Sequence, residues 1–218
     1  MAGDFTSDRA SPGRLSAYVV GKRVMDVLGS GIALAAFLPV CAGISLAVRL
    51  DSDGPALFCQ ERLGRRGRLF RMLKFRTMHA GSAPQVRDNA CVVDGDRDPR
   101  LTRVGRWLRR WSIDELPQLW NVVTGDMSLV GPRPDLPEAL AVYAPRERRR
   151  LEVRPGLTGL AQVSGGNLLS ARERWELDAR YVESMGFLED LRIVARTIGV
   201  VVAGRTAPGT ETLEGGRE

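Results

Sequence analysis

Residues 27–48 read VLGSGIALAAFLPVCAGISLAV, a run without a charged residue and with one proline, Pro39. How this run is folded decides the architecture of the chain. About 20 apolar residues suffice to cross a bilayer as a helix, so a spanning helix is the simplest reading. Two features oppose it. Proline lacks an amide N–H and clashes with the preceding turn, so a helix bends or breaks at Pro39. Both flanks are also basic, with Lys22 and Arg23 before the run and Arg49 after it, and basic flanks stay on the cytoplasmic side. A re-entrant helix that enters, bends at Leu38-Pro39 and returns accounts for both. Ser30, Ser45 or neighbouring helices would then satisfy the backbone groups freed at the bend. A proline-kinked spanning helix is the alternative. The run is long for the core of a cleaved signal peptide, and long for the buried helix of a soluble domain.

Working outward, residues 1–16 are small, polar and mixed in charge, as mobile termini often are. Residues 51–55 (DSDGP) are turn-like. Residues 56–59 and 69–75 read as short strands joined by a Gly-rich basic turn at 63–68. Residues 80–98 are polar and read as a loop. Residues 101–111 have helical spacing, with Leu101, Val104, Trp107, Leu108 and Trp111 on one side and arginines interleaved. A basic amphipathic helix with tryptophans fits a membrane interface; an ordinary surface helix packed on the core is the alternative. Residues 136–151, 171–184 and 186–203 read as helices, the last increasingly apolar toward its end. Residues 153–167 are rich in Gly and Pro and read as loop or short strand.

The 218 residues suit one domain, and 44% hydrophobic content allows a sizeable core. The formal net charge is +6, nearly all of the positive charge is arginine, and Lys22 and Lys74 are the only lysines. Such a balance favours nucleic acid, phosphates or an acidic membrane face. Cys41, Cys59 and Cys91 lack metal-ligand spacing and are odd in number, which suits thiols in a reducing compartment.

The chemistry-bearing stretch is residues 109–134, RRWSIDELPQLWNVVTGDMSLVGPRP. Asp114 and Glu115 are adjacent, so on a helix they point about 100° apart and cannot form a facing carboxylate pair. They need distinct roles. Ser112-Ile-Asp-Glu115 also matches a capping box, which would make both acids merely structural. Pro117 is awkward for a helix capped at Ser112, since it falls beyond the first turn. Arg109, Arg110 and Arg133 lie close in sequence, and Lys74, Arg76 and Arg154 sit in short segments with Gly or Pro nearby. Guanidiniums grip phosphate bidentately and a lysine adds a mobile point charge. A carboxylate among them serves as a nucleophile toward phosphorus or holds Mg²⁺; surface ion pairing is the bland fate of any single arginine. His79, the only histidine, has no partner in metal-ligand spacing, and no Walker or GxGxxG loop is present.

These blocks resemble the bacterial sugar transferases, the small monotopic phosphoglycosyl transferases. The likeness runs from about residue 22 to 203. It rests on Lys22-Arg-x-x-Asp26, Phe58-x-Gln-x-Arg62-x-Gly-x-x-Gly67, Lys74-Phe-Arg-Thr-Met78 and Asp98-Pro-Arg-Leu-Thr-Arg-Val-Gly-Arg106. It continues through Asp114-Glu-Leu-Pro-Gln-Leu-x-Asn121, Gly125-Asp-Met-Ser-Leu-Val-Gly-Pro-Arg-Pro134, Val153-Arg-Pro-Gly-Leu-Thr-Gly-x-Ala-Gln162 and Glu176-Leu-Asp178. The resemblance implies transfer of a sugar-1-phosphate from a UDP-sugar to a polyprenol (undecaprenyl) phosphate, with release of UMP, at the start of exopolysaccharide, capsule, O-antigen or glycoprotein glycan assembly. It gives Asp114 the nucleophile's role and a place on Mg²⁺, with Glu115 as catalytic partner. It puts Lys74, Arg76, Arg109, Arg133, Arg154 and Gln162 around the nucleotide-sugar.

The implied fold is mainly α with a small β element: a re-entrant N-terminal membrane helix plus a cytosolic α/β catalytic domain with interfacial amphipathic helices. The expected division is a flexible tail at 1–21, the membrane helix at 22–50, the catalytic domain at 51–204 and a second tail at 205–218. The expected place is the bacterial inner membrane, catalytic domain on the cytoplasmic face, in contact with membrane lipids and without nucleic acid. A homo-oligomer stays open. Two departures stand out. The bend is Leu38-Pro39 where relatives often have Ser-Pro, and Ser164-Gly-Gly-Asn167 replaces an Asn-Gly-Arg-Asn-like turn. A membrane-anchored scaffold with a capped helix and a basic nucleic-acid binder are the competing classes; the apolar run argues against the second.

Overall fold

A computed structural model describes residues 12–82, 86–87, 90–91 and 98–202, with residues 12–16, 86, 87, 90, 91 and 167 described by backbone alone. One 40-residue helix, α1 (Pro12–Asp51), runs through the whole apolar stretch with Pro39 inside it. It starts within the segment expected as a tail. At 1.5 Å per residue it is about 60 Å long, roughly twice the bilayer's hydrocarbon core. Its most apolar 18-residue window has a mean hydropathy of 2.2 and is only 11% buried, so α1 is not the core helix of a soluble domain.

Both arms of α1 dock on the rest of the chain. On the N-terminal arm, Arg23 donates to the carbonyls of Val122 and Val123 (2.7 and 3.0 Å), Asp26 accepts from Leu129 N (3.0 Å), and Lys22 pairs with Asp190 (2.7 Å). On the C-terminal arm, Ile44 and Val48 are buried with Ala56, Phe75 and Leu108, and Asp51 accepts from Val104 N (2.9 Å). Residues 35–40 between the arms are all exposed. Ser45 Oγ donates to Cys41 O at 2.8 Å, while buried Ser30 Oγ has no partner among the described residues. Neither hydroxyl serves the carbonyl of Ala35, which Pro39 leaves without its usual donor.

The expected hairpin is present, but its first strand runs to Leu63, past the expected 56–59 and into the expected turn. Strands β1 (Leu57–Leu63) and β2 (Leu69–Phe75) pair antiparallel from Leu57↔Phe75 to Leu63↔Leu69, closed by a 3-10 turn at Arg65–Gly67. Within the stretch expected as a loop, Val86–Arg87 (β3) and Ala90–Cys91 (β4) form a short ladder; residues 83–85, 88–89 and 92–97 lie outside the described residues, as do 1–11 and 203–218. Helix α2 (Arg103–Arg110) is capped by Thr102, whose side chain accepts from Gly105 N. Helix α3 (Gln118–Thr124) follows. Strands β5 (Ser128–Val130) and β6 (Gly156–Thr158) pair in parallel, Ser128 with Gly156 and Val130 with Thr158.

The helix expected over 136–151 is instead two 3-10 turns, Pro137–Ala141 and Glu147–Glu152. Pro145 lies between them, and a residue before proline is pushed out of the α region. After a short helix α4 (Leu160–Val163), α5 (Ala171–Ser184) and α6 (Phe187–Val202) match the periodicity. Ser170 and Glu173 make a full capping box at the start of α5.

Candidate active site

Three elements bring the acids and cations together. β2 carries Lys74. Its backbone is clamped to α3 by Asn121, which accepts from Leu73 N (3.0 Å) and donates to Arg71 O (2.9 Å). α2 carries Arg109 and lies hard against the chain after β2: a Cβ on Gly105 would sit 2.0 Å from Thr77 O. That approach lets Arg109 Nε donate to Thr77 Oγ1 at 2.9 Å. The β5–β6 pair aims the Gly-Pro-Arg-Pro turn. Gly131 N donates to Thr158 O (2.9 Å) and Gly156 N to Pro132 O (2.8 Å). A Cβ on Gly156 would lie 2.1 Å from Gly131 N, so only glycine admits this backbone contact.

Ser112 sets the acids. It is left-handed (φ 52°, ψ 23°) and makes no side-chain cap bond. For a non-glycine residue that conformation costs about 1–2 kcal/mol. It separates α2 from a 3-10 turn at Ile113–Glu115, and Ile113 and Leu116 then pack on the Ile44–Phe75–Leu108 cluster. The capping-box alternative is therefore not what forms here. Pro117 falls at the entrance to α3, where it does no harm.

The two acids end in different circumstances. Glu115 Oε1 accepts from Lys74 Nζ (2.9 Å) and Arg133 NH2 (2.8 Å). Burial would raise its carboxyl, but the charges and hydrogen bonds of Arg133 and Lys74 prevail and hold it well below the usual range. Asp114 is 5% exposed and its side chain makes no hydrogen bond or ion pair among the described residues. Burial, reinforced by the Glu115 charge, pushes its carboxyl up against the pull of Lys74, Arg109 and Arg133. Glu115 is thus a fixed anion neutralised twice over. Asp114 is the more basic and unengaged carboxyl, with three cations in electrostatic reach.

Lys74, Arg109, Arg133, Asp114 and Glu115 thus lie close together. Arg76 is engaged elsewhere. Its guanidinium donates to the carbonyls of Ser52 (2.7 Å), Val48 (3.2 Å), Gly54 (3.4 Å) and Asp53, closing the C-terminal end of α1. Arg154 donates through Nε to Gly125 O (2.8 Å), behind the turn. Gln162 lies beside Gly159, which abuts Gly131 O, and both of its amide atoms are buried without a partner among the described residues. Asn121, Thr77 and Ser112 place these groups; in the sequence they stand out only as members of the family blocks and of a capping-box pattern, with no sign of this positioning role.

A buried carboxylate among cations, beside an exposed apolar helix long enough to anchor in a membrane, suits chemistry on phosphate groups at a membrane surface. Residues 17–204 match the bacterial sugar transferase family, and the chain belongs to that family. It is 45% identical over 186 residues to the UDP-glucose:undecaprenyl-phosphate glucose-1-phosphate transferase of Caulobacter vibrioides, covering 81% of this chain and 68% of that protein. It is 41% identical over 201 residues to the undecaprenyl-phosphate glucose phosphotransferase of Komagataeibacter xylinus, covering 85% of this chain but only 36% of that protein. It is 38% identical over 198 residues to the exopolysaccharide production protein ExoY of Rhizobium meliloti, covering 85% of this chain and 87% of that protein.

Proposed function

We propose that the protein transfers a sugar-1-phosphate from a UDP-sugar to undecaprenyl phosphate or a similar polyprenol phosphate, through a covalent aspartyl-phosphosugar intermediate. The observation that carries this reading is Asp114, buried and unengaged among Lys74, Arg109 and Arg133, while Glu115 Oε1 is held by Lys74 and Arg133. An Asp114 carboxylate oxygen attacks the β-phosphorus. The new O–P bond forms as the bond to the UMP oxygen breaks, and UMP leaves. A phosphate oxygen of the lipid then attacks the same phosphorus, frees the carboxylate and takes the sugar-phosphate as a diphosphate-linked lipid. Arg109 and Arg133 stabilise charge on the transferring phosphoryl oxygens, where positioning and neutralisation supply most of the catalysis. Glu115 holds Lys74 and Arg133 at their stations.

Among the described residues no three His, Cys, Asp or Glu side chains gather into a metal site. Mg²⁺ is commonly held by one or two carboxylates together with substrate phosphates. Asp114 is the available carboxylate, and the ion would neutralise the diphosphate.

For location we propose the cytoplasmic face of the bacterial inner membrane, with α1 re-entrant. Supporting this, α1's two basic-flanked arms bond to one and the same body, with exposed apolar residues between them. Trp107, Trp111 and Trp120 are exposed, as are Leu188, Leu191 and Ile198 on α6, in keeping with interfacial contact. A groove of about 380 Å³ between α1 and α2, lined by Ile44, Ala47, Val104 and Trp107 among others, suits a lipid chain.

The test is UMP release across a panel of UDP-sugars, with intact-mass detection of the intermediate in the absence of acceptor. Asp114→Asn is expected to abolish both while leaving the fold intact. Substantial turnover by that variant would overturn the covalent mechanism.

A further inference from the structure

The Glu176-Leu-Asp178 block has no part in the chemistry above, yet Asp178 is 1% exposed and ion-paired. Its surroundings explain it. Asp178 Oδ2 accepts from Arg150 NH2 at 2.6 Å, and the same NH2 donates to the backbone carbonyl of Arg133 at 2.5 Å. Arg150 NH1 donates to Tyr143 Oη (2.7 Å) and to Asp135 Oδ2. Asp135 Oδ2 also accepts from Tyr143 Oη (2.8 Å) and Trp175 Nε1 (2.6 Å). The other two carbonyls of the turn are held as well, Pro134 O by Arg62 NH1 (3.3 Å) and Asp135 O by Leu63 N (2.9 Å). Every backbone carbonyl from Arg133 to Asp135 therefore has a fixed donor, and the Arg133 side chain leaves this turn to meet Glu115 at 2.8 Å.

A buried carboxylate and a half-buried one around one buried guanidinium are a costly way to stabilise a fold, because desolvation offsets the attraction, and apolar groups of the same shape often do as well. What such a cluster supplies is geometry. We propose that Asp178 is a positioning residue: it fixes the Arg150 guanidinium, which in turn fixes the Arg133 backbone and so aims the Arg133 side chain at the transferring phosphate. Asp178 lies on α5, outside residues 109–134, so the register of α5 is coupled to the site. The aim at the transferring phosphate, and the kinetic arm that reads it, rest on the phosphotransfer reading; the fixing of the Arg133 backbone does not.

The experiment is a double-mutant cycle on the full chain in detergent, read by UMP release. Asp178→Ala is expected to lower kcat/KM about 10- to 100-fold, the scale of a small misplacement of a catalytic group. Asp178→Asn keeps an acceptor for Arg150 and is expected to recover to within a few-fold of wild type. In an Arg133→Ala background, Asp178→Ala is expected to add less than about two-fold, because groups that act through one another are not additive. An equal loss in both backgrounds overturns the proposal. If Asp178→Ala does not fold, Asp178→Ser carries the same comparison. An arm independent of activity is amide hydrogen exchange. Asp178→Ala is expected to speed exchange across residues 131–136 and leave α3 unchanged; unchanged exchange at the turn also overturns the proposal. Wild-type protein that releases no UMP from any UDP-sugar would instead refute the phosphotransfer reading, and the exchange arm would still decide the positioning role.

Discussion

At the scale of single residues, one tetrapeptide pattern has two outcomes. Ser-x-x-Glu occurs at 112–115 and at 170–173. The second forms the capping box; the first does not. Glu115 has Lys74 and Arg133 to bind, and charge-assisted bonds outcompete a backbone amide. Glu115→Gln removes that anion from between two cations. Lys74 is 17% exposed in its side chain but Arg133 is 43% exposed, which screens part of the effect. The expected loss is about 1–3 kcal/mol, read as a lower urea midpoint. Asp178 gives a prediction with a sign. Burial, opposed by Arg150 and aided by Asp135, with Arg174 also facing it, pushes its carboxyl up to about 7. Between roughly pH 4 and 7 the folded state holds a proton that the unfolded chain has released. The stability this provides is complete below that window and is lost as pH rises through it. Asp178→Asn cannot titrate. Its stability relative to wild type is therefore expected to increase from pH 5 to pH 8 in paired urea titrations; a constant difference contradicts the assignment.

At the scale of elements, legibility followed length and periodicity. α5, α6 and the β1–β2 hairpin show full periods, and the sequence locates them. β5 and β6 have three residues each, too few to display alternation, and their pairing depends on a close contact between Gly131 and Gly156 that is distant in sequence. The misread helix over 136–151 shows apolar spacing overruled by Pro145. The site was legible in kind but not in assignment. Arg76 and Arg133 look alike in the sequence, yet one closes the end of α1 and the other meets Glu115, because tertiary placement decides where a guanidinium goes. α2 offers the sharpest element-level test. Gly105→Ala would put a methyl 2.0 Å from Thr77 O, a backbone atom that cannot rotate away. The helix must shift, at about 1–3 kcal/mol for overpacking. Since Arg109 is bonded to Thr77, UMP release is expected to fall further than the loss of folded protein explains; activity that simply tracks the folded fraction would count against this coupling.

At the scale of the whole molecule, the decisive question is where the two ends of α1 lie. The sequence supplied basic flanks and a proline, which suggest a return to the same side without saying what holds the arms. The structure adds the holding groups. Lys22, Arg23 and Asp26 bond to Asp190, to the last carbonyls of α3 and to Leu129. Asp51 bonds to the start of α2, and Arg76 closes the helix end. A spanning α1 would carry one of these charged sets across the bilayer, away from partners that belong to a single body. It would leave that body's matching groups, Asp190 and the α3 carbonyls or Val104 N and Arg76, without their bonds, at a cost of about 1–3 kcal/mol for each one left buried. Re-entry keeps all of them and still places Ile32, Phe37, Leu38 and Val40, each at least 44% exposed, in lipid. The expected result is therefore same-side termini. With Cys41, Cys59 and Cys91 replaced, single cysteines placed in an N-terminal tag and after Glu218 are expected to resist a membrane-impermeant maleimide in intact spheroplasts, and both to react once the membrane is opened. Labelling of either one alone in intact spheroplasts would mean that α1 crosses, and that one set of docking bonds is broken in the membrane.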